Sequence, residues 1–284
     1  MKNVVVPIDF SEDSLKGLEL ACLLTTRATL NLQMVYVLTK SRDNVPSDAE
    51  DEYREAERKF KKIQKDFKHL VHNKSKLEYI IKKGKIYQEV VGQAHAINDC
   101  IIVASTHGAS GFEELFIGSN AYKIITSTVR PVLTIRKGSA PKHIKKIVVP
   151  VDIVSESRQT VSFASFIAEL FEAEIYVLSV SSSKNKKLSA RLAAYNEQIC
   201  NFLKNKDIAC HSETLVGDSI PVTIVDYCDK IEADLVAIIN ESDSSFSELV
   251  LGSYAQQMIS RSSVPVLTIR AKSHTIKGSF STLG

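Results

Sequence analysis

The chain has 284 residues, 44% of them apolar and 24% charged, with a formal net charge of +3. That balance excludes a disordered, collagenous or membrane-embedded polypeptide and leaves a soluble globular chain long enough for two domains of ordinary size. The weak positive charge excludes a dedicated nucleic-acid binder, and no run approaches the roughly 18 apolar residues needed to cross a bilayer.

The first element is the apolar run Val4–Ile8, which closes on Asp9. It is too short for the core of a secretion signal, so the expected location is the cytoplasm. Further β-branched runs at Leu32–Leu38, Lys76–Ile81, Cys100–Ala104 and Val132–Ile135 alternate with segments of helical periodicity. Their near-continuous apolar character predicts a parallel sheet covered by helices on both faces, a doubly wound α/β architecture. After Pro46, the residues Tyr53, Ala56, Phe60, Ile63, Phe67 and Leu70 recur at spacings of three and four and predict one long amphipathic helix.

The pattern then starts again. Ile147-Val148-Val149-Pro150-Val151-Asp152 repeats Val4 to Asp9, Leu249 to Ser253 repeats Leu115 to Ser119, and Pro265 to Arg270 repeats Pro131 to Arg136 without change. Three landmarks in the same order define a tandem repeat. The expected division is a first domain over 1–138, an exposed linker over 139–146, a second domain over 147–271 and a polar tail over 272–284. Leu188, Leu192, Tyr195, Ile199 and Phe202 repeat the amphipathic helix in the second unit. Cys22, Cys100, Cys200, Cys210 and Cys228 are odd in number and scattered, which predicts reduced thiols without disulfides. Cys200, Cys210 and His211 match no usual zinc spacing, so no metal site is expected.

In an open parallel sheet, ligands bind beyond the carboxyl ends of the strands. Two loops of the first unit lie there. In Pro7 to Ser14, Ser11 can cap the next helix, and Asp9 reads equally as a turn residue or a ligand contact. The second loop runs from Ser105 through Thr106, His107, Gly108 and Gly111 to Gly118-Ser119-Asn120, which opens a helix ending before Pro131. Small residues followed by a helix amino end suit a phosphate, although tight turns alone also call for glycine.

These residues resemble the universal stress protein family, whose ATP-binding members carry G-x2-G-x9-G-[ST] after the fourth strand. Gly108, nine intervening residues, Gly118 and Ser119 match it, and Ser105 stands at the first glycine. The resemblance extends from Val4 to Arg270. It implies two tandem five-stranded Rossmann-like sheets of the adenine nucleotide alpha hydrolase type, related by a pseudo-two-fold axis and paired through their last strands. It also implies ATP as cofactor, alone or with Mg, in the first unit. Asp9 would contact the nucleoside and Val37 the adenine, with Ser105, His107, Gly108, Gly118, Ser119 and Asn120 around the phosphates. Ser105 is expected to crowd the phosphates or to demand a strained backbone.

The second unit keeps Asp152, Val180 and Gly252-Ser253, but Ile239 and Ser242 replace the two earlier glycines and Glu241 and Asp243 enter the loop. Weak or absent ATP binding is expected there. With no Walker A loop, G-x-S-x-G elbow or H-E-x-x-H pair, the chain reads as a stress-response binding module rather than a committed enzyme. Its partners would be the adenine nucleotide and an unidentified protein, with no nucleic acid or membrane; a further homodimer stays open. Two alternatives remain: slow ATP hydrolysis or nucleotidyl transfer with His107 and Ser119 near the phosphates, and a scaffold that binds no nucleotide.

Overall fold

The computed structural model describes residues 1–39, 46–72, 74–107, 116–136, 140–152, 157–182, 185–240 and 251–271. The first unit runs β1 (Asn3–Pro7), α1 (Glu12–Thr25), β2 (Asn31–Leu38), α2 (Pro46–Phe67), β3 (Lys76–Lys83), α3 (Ile86–Ala96), β4 (Cys100–Ser105), α4 (Ser119–Ser127) and β5 (Val132–Ile135). The second runs β6 (Lys146–Pro150), α5 (Ser157–Phe171), β7 (Glu174–Ser181), α6 (Lys186–Lys204), β8 (Cys210–Val216), α7 (Ile220–Lys230), β9 (Leu235–Asn240), α8 (Ser253–Arg261) and β10 (Val266–Arg270).

The two five-stranded halves are joined into one ten-stranded sheet in the order β3-β2-β1-β4-β5-β10-β9-β6-β7-β8. Neighbouring strands are parallel within each unit, and the halves meet through the antiparallel pair β5 and β10. This is the pairing of last strands that the resemblance implied. It removes two apolar edges that would otherwise invite association. Arg136 on the first unit donates to the Ser260 carbonyl of the second, and the Leu251 amide donates to the Tyr122 hydroxyl at 3.3 Å.

Strand alternation sends successive residues to opposite faces. Val4, Val6, Leu32, Met34, Ile101 and Val103 meet α1 and α2 on one face, while Val5, Val35, Val37 and Ile102 meet α3 and α4 on the other. The second unit repeats this with α5 and α6 on the first face and α7 and α8 on the second. Helix α2 ends at Phe67, so Leu70 lies outside it, and Leu70 and Tyr53 are exposed while Phe60 is fully buried. On α6, Leu192, Ile199 and Leu203 carry the burial and Phe202 faces water.

Two sequence expectations are corrected. The segment before β6 is not a purely solvated linker: Ile144 is 1% exposed and joins the core, His143 Nδ1 lies 3.4 Å from Asp234 Oδ1, and the Lys145 and Lys146 amides donate to Asp234 Oδ2. A basic run hid one apolar anchor. Cys200 and Cys210 are joined in a disulfide with Cα atoms 5.3 Å apart, where reduced thiols were expected. Helix α6 turns back directly into β8, and cysteine arithmetic cannot see such a juxtaposition. The other three cysteines are free and buried. His211 Nε2 lies 3.2 Å from Glu174 Oε2. No helix of the described residues is long and apolar enough to cross a membrane.

Candidate functional site

Strands β1, β2 and β4 end side by side, and beyond their carboxyl ends lies a cavity of about 380 Å³. Asp9, Val37, Ser105, His107, Gly118, Ser119 and Asn120 all line it. Gly108 lies outside the described residues. Seven residues drawn from three separate stretches of sequence are thus brought to one hollow.

Each is held by local chemistry. Ser11 caps α1 by accepting from the Ser14 amide at 3.1 Å, and its own amide donates to Asp9 Oδ1 at 3.0 Å. Asp9 therefore serves the turn and also lines the cavity, so the two readings of this residue coexist. The next residue, Phe10, has φ of 65° in the left-handed region, which an aromatic residue adopts only when its surroundings hold it there. Its ring packs on Tyr36 and Phe60 at centroid distances of 4.8 and 5.0 Å, with the Lys59 ammonium 5.1 Å away.

At the other end, the Gly118 amide donates to the Thr106 carbonyl at 2.8 Å, tying the start of α4 to the end of β4. A β-carbon at Gly118 would stand 3.1 Å from that carbonyl oxygen, tight enough to force a shift. No side chain caps α4. Its first-turn amides, at the positive end of the helix, form the part of the cavity suited to an anion. The Ser105 hydroxyl donates to the His107 carbonyl, and Ser105 is not among the described non-glycine residues with positive φ. The expected left-handed backbone is absent, and the side chain is turned onto its own loop. The Thr106 hydroxyl lies 3.0 Å from His107 Nδ1, which orients the imidazole.

Sequence reasoning named Ser14 and Thr106 only as members of the two loops and missed Tyr36, Thr39, Ile86 and Ile124 in the lining. Tyr36 adjoins Val37 and could have been inferred, whereas Ile86 and Ile124 read only as helix-core residues. Burial raises the Tyr36 phenol, and the charge and hydrogen bond of Glu52 add to it, followed by Asp9.

The second unit has a cavity of about 360 Å³ in the corresponding place, lined among others by Asp152, Val180, Ile239, Gly252, Ser253 and Tyr254. The segment 241–250, with the acidic substitutions noted above, lies outside the described residues.

Two α/β units in one sheet, each with a cavity at its strand ends, define a tandem α/β class of protein. The model of the universal stress protein family matches residues 1–136 and 143–270, and the chain belongs to that family. It is 22% identical over 294 aligned positions to a universal stress protein of Synechocystis, covering 95% of this chain and all of that one. A universal stress protein of Methanocaldococcus jannaschii is 26% identical over 141 positions, covering 44% of this chain and 82% of its own. Among solved structures, a universal stress protein of Archaeoglobus fulgidus superposes with TM-score 0.77 at 19% identity, covering 95% of this chain and 97% of that one. One from Pseudomonas aeruginosa gives 0.65 at 18% identity, covering 95% and 94%. At such identities the structural likeness establishes the fold.

Proposed function

We propose that the first unit holds an adenine nucleotide, ATP, and that the chain acts as a stress-response binding module in the cytoplasm. Nucleotide occupancy would change the surface offered to a protein partner. The observation that carries this reading is the meeting in one cavity of Asp9, Val37 and the uncapped start of α4 at Gly118-Ser119-Asn120. An apolar wall of Val35, Val37 and Ile86 suits a purine face, Asp9 accepts from the nucleoside, and the helix amides receive phosphate.

Mg accompanying ATP would lie beside the phosphates at the start of α4 and would supply charge neutralisation there. In this reading each unit is a doubly wound sheet of the adenine nucleotide alpha hydrolase type, with domains at 1–138 and 147–271. Mass spectrometry of freshly purified, denatured protein is the test. About one adenine nucleotide per chain supports the proposal, and its loss in Gly118→Asp, which sets a carboxylate against the phosphates, supports the assigned loop. A nucleotide-free wild-type chain that also fails to bind added ATP would leave the scaffold alternative. Hydrolysis is separable: His107 lines the cavity, and single-turnover phosphate release lost in His107→Ala would make the unit a slow ATPase.

A further inference from the structure

A third cavity, of about 640 Å³, lies where the two units meet. Because β10 runs antiparallel to β5, its carboxyl end at Ile269 and Arg270 comes beside the chain that enters β4 and β5 at Cys100 and Pro131. Helix α5 walls the same hollow with Phe163 and Phe166. It shares no lining residue with either strand-end cavity, and its size suits a small organic molecule.

Two guanidinium groups, Arg130 and Arg270, line it against one carboxylate, Asp99. Arg130 donates through Nη2 to the Ile97 carbonyl at 2.9 Å, but its buried Nε–H has no acceptor among the described residues. The Arg270 side chain makes no hydrogen bond or ion pair with any described residue. A guanidinium keeps its charge at any ordinary pH, and leaving its donors unmet away from water is costly. Two such groups on one cavity point to an anion.

The repeat shows that the shared fold does not require them. Ile102 faces Val132 and Val236 faces Val266, so Cys100 answers to Asp234, Arg130 to Val264 and Arg270 to Arg136. At the matching place the Asp234 carboxylate accepts from the Lys145 and Lys146 amides, and Arg136 donates to the Ser260 carbonyl. Those charges are met within the chain. Here a thiol replaces the carboxylate and an arginine replaces the valine.

The rest of the lining specifies the body of the ligand. Phe163 and Phe166 are half-buried, their ring centroids 6.0 Å apart and their planes tilted by 57°. A further ring can pack on such a pair edge to face. Two arginines against one aspartate leave the lining side chains with one net positive charge, which a single carboxylate neutralises and a phosphate dianion exceeds. We infer that this junction cavity binds a small aromatic carboxylate, its ring on Phe163 and Phe166 and its charge on Arg130 and Arg270. The inference stands apart from the nucleotide reading of the first unit.

Titration calorimetry of the full chain with phenylacetate tests it. About one equivalent should bind, and Arg270→Gln and Phe166→Ala should each weaken it roughly tenfold. Phenylacetamide, alike in shape but uncharged, should bind the wild-type chain roughly tenfold more weakly or worse. Phenyl phosphate should also bind less tightly than phenylacetate, and saturating ATP should leave the phenylacetate affinity unchanged. The two variants lie on β10 and α5, so a chain that fails to fold leaves the other to decide. No saturable binding of phenylacetate, equal affinity for the amide, indifference to Arg270→Gln and Phe166→Ala, or displacement by ATP would each overturn the inference. Tighter binding of phenyl phosphate would overturn the choice of a carboxylate.

Discussion

Leu133 on β5 and Leu267 on β10 stand opposite each other where the two halves of the sheet meet, and each is the other's counterpart in the repeat. The flanking pairs obey the same exchange: Val132 faces Thr268 and Thr134 faces Val266. The pseudo-two-fold axis therefore passes between the two leucines. A slip of one residue would turn each strand's buried set to the wrong face, so the register is held by packing on both sides.

Both leucines are nearly sealed from solvent, at 3% and 1% exposed, and belong to the core face shared by the two units. Leu133→Ala and Leu267→Ala should each cost about 2–5 kcal/mol, the range for truncating a buried leucine to alanine. Because the residues adjoin, the double variant should lose less than the sum of the two. Urea denaturation of the four chains gives the comparison. Simple additivity would show that the two sites relax independently and that the junction is not one packed unit.

The junction was anticipated from the resemblance, which implied pairing through the last strands, together with the repeat, which places a copy of that strand at the end of each unit. The strand-end loops were legible because the direction of strands in a parallel sheet is known, whereas the choice of Val37, inside an apolar run, came from the resemblance. The left-handed Phe10 was not, because its conformation is imposed by Tyr36 and Phe60, which are distant in sequence. Nor was the burial of Ile144, whose basic neighbours dominate the local pattern, or the disulfide, which depends on how α6 meets β8. Local pattern reveals faces and turns; contacts made by chain reversal are fixed by tertiary packing.

Gly17 brings α1 against the end of β4. A β-carbon there would stand 3.2 Å from the Ser105 nitrogen and 3.5 Å from the Ala104 carbonyl carbon, both main-chain atoms that cannot swing aside. Gly17→Ala gains about 1 kcal/mol of helix propensity. It should nevertheless lose roughly 1 kcal/mol net through overpacking of about 1–3 kcal/mol, and should weaken nucleotide retention by displacing Ser105. The second unit carries Thr160 at the matching position, buried at 1% exposed with no hydrogen-bond partner for its hydroxyl among the described residues. Thr160→Val removes an unsatisfied group and should stabilise by up to about 1 kcal/mol. Thermal melts check both signs, and a destabilised Thr160→Val would reveal a partner for that hydroxyl.

The Cys200–Cys210 bond closes a loop with a sequence separation of 10. By chain entropy such a loop contributes about 2–3 kcal/mol. Adding a reductant should lower the denaturation midpoint accordingly, while Cys200→Ser and Cys210→Ser chains should not respond. Alkylation of the native, unreduced chain should modify neither of these residues, and Cys22, Cys100 and Cys228 are protected by burial. Recovery of alkylated Cys200 and Cys210 from such a sample would mean that the pair is reduced in solution.

Those three buried thiols set an alkaline limit. Burial raises Cys22 from 9.0 to about 12, with the Glu19 charge adding to it, and raises Cys228 to about 12, with Asp229 adding and a backbone hydrogen bond opposing. Cys100 is raised to about 11, again chiefly by burial, against the lowering influence of Arg130. A thiol whose folded pKa lies above its unfolded one stays protonated in the fold while the unfolded chain releases its proton. Its contribution is complete below about pH 9 and is lost as pH rises toward the folded value. Each thiol should therefore cost roughly tenfold in the folding equilibrium per pH unit above 9. Urea melts at about pH 8 and about pH 10 should show this fall. In Cys22→Ala the neutral-pH stability should be lower but the fall between the two conditions smaller; a slope equal to wild type would assign the alkaline loss to other groups.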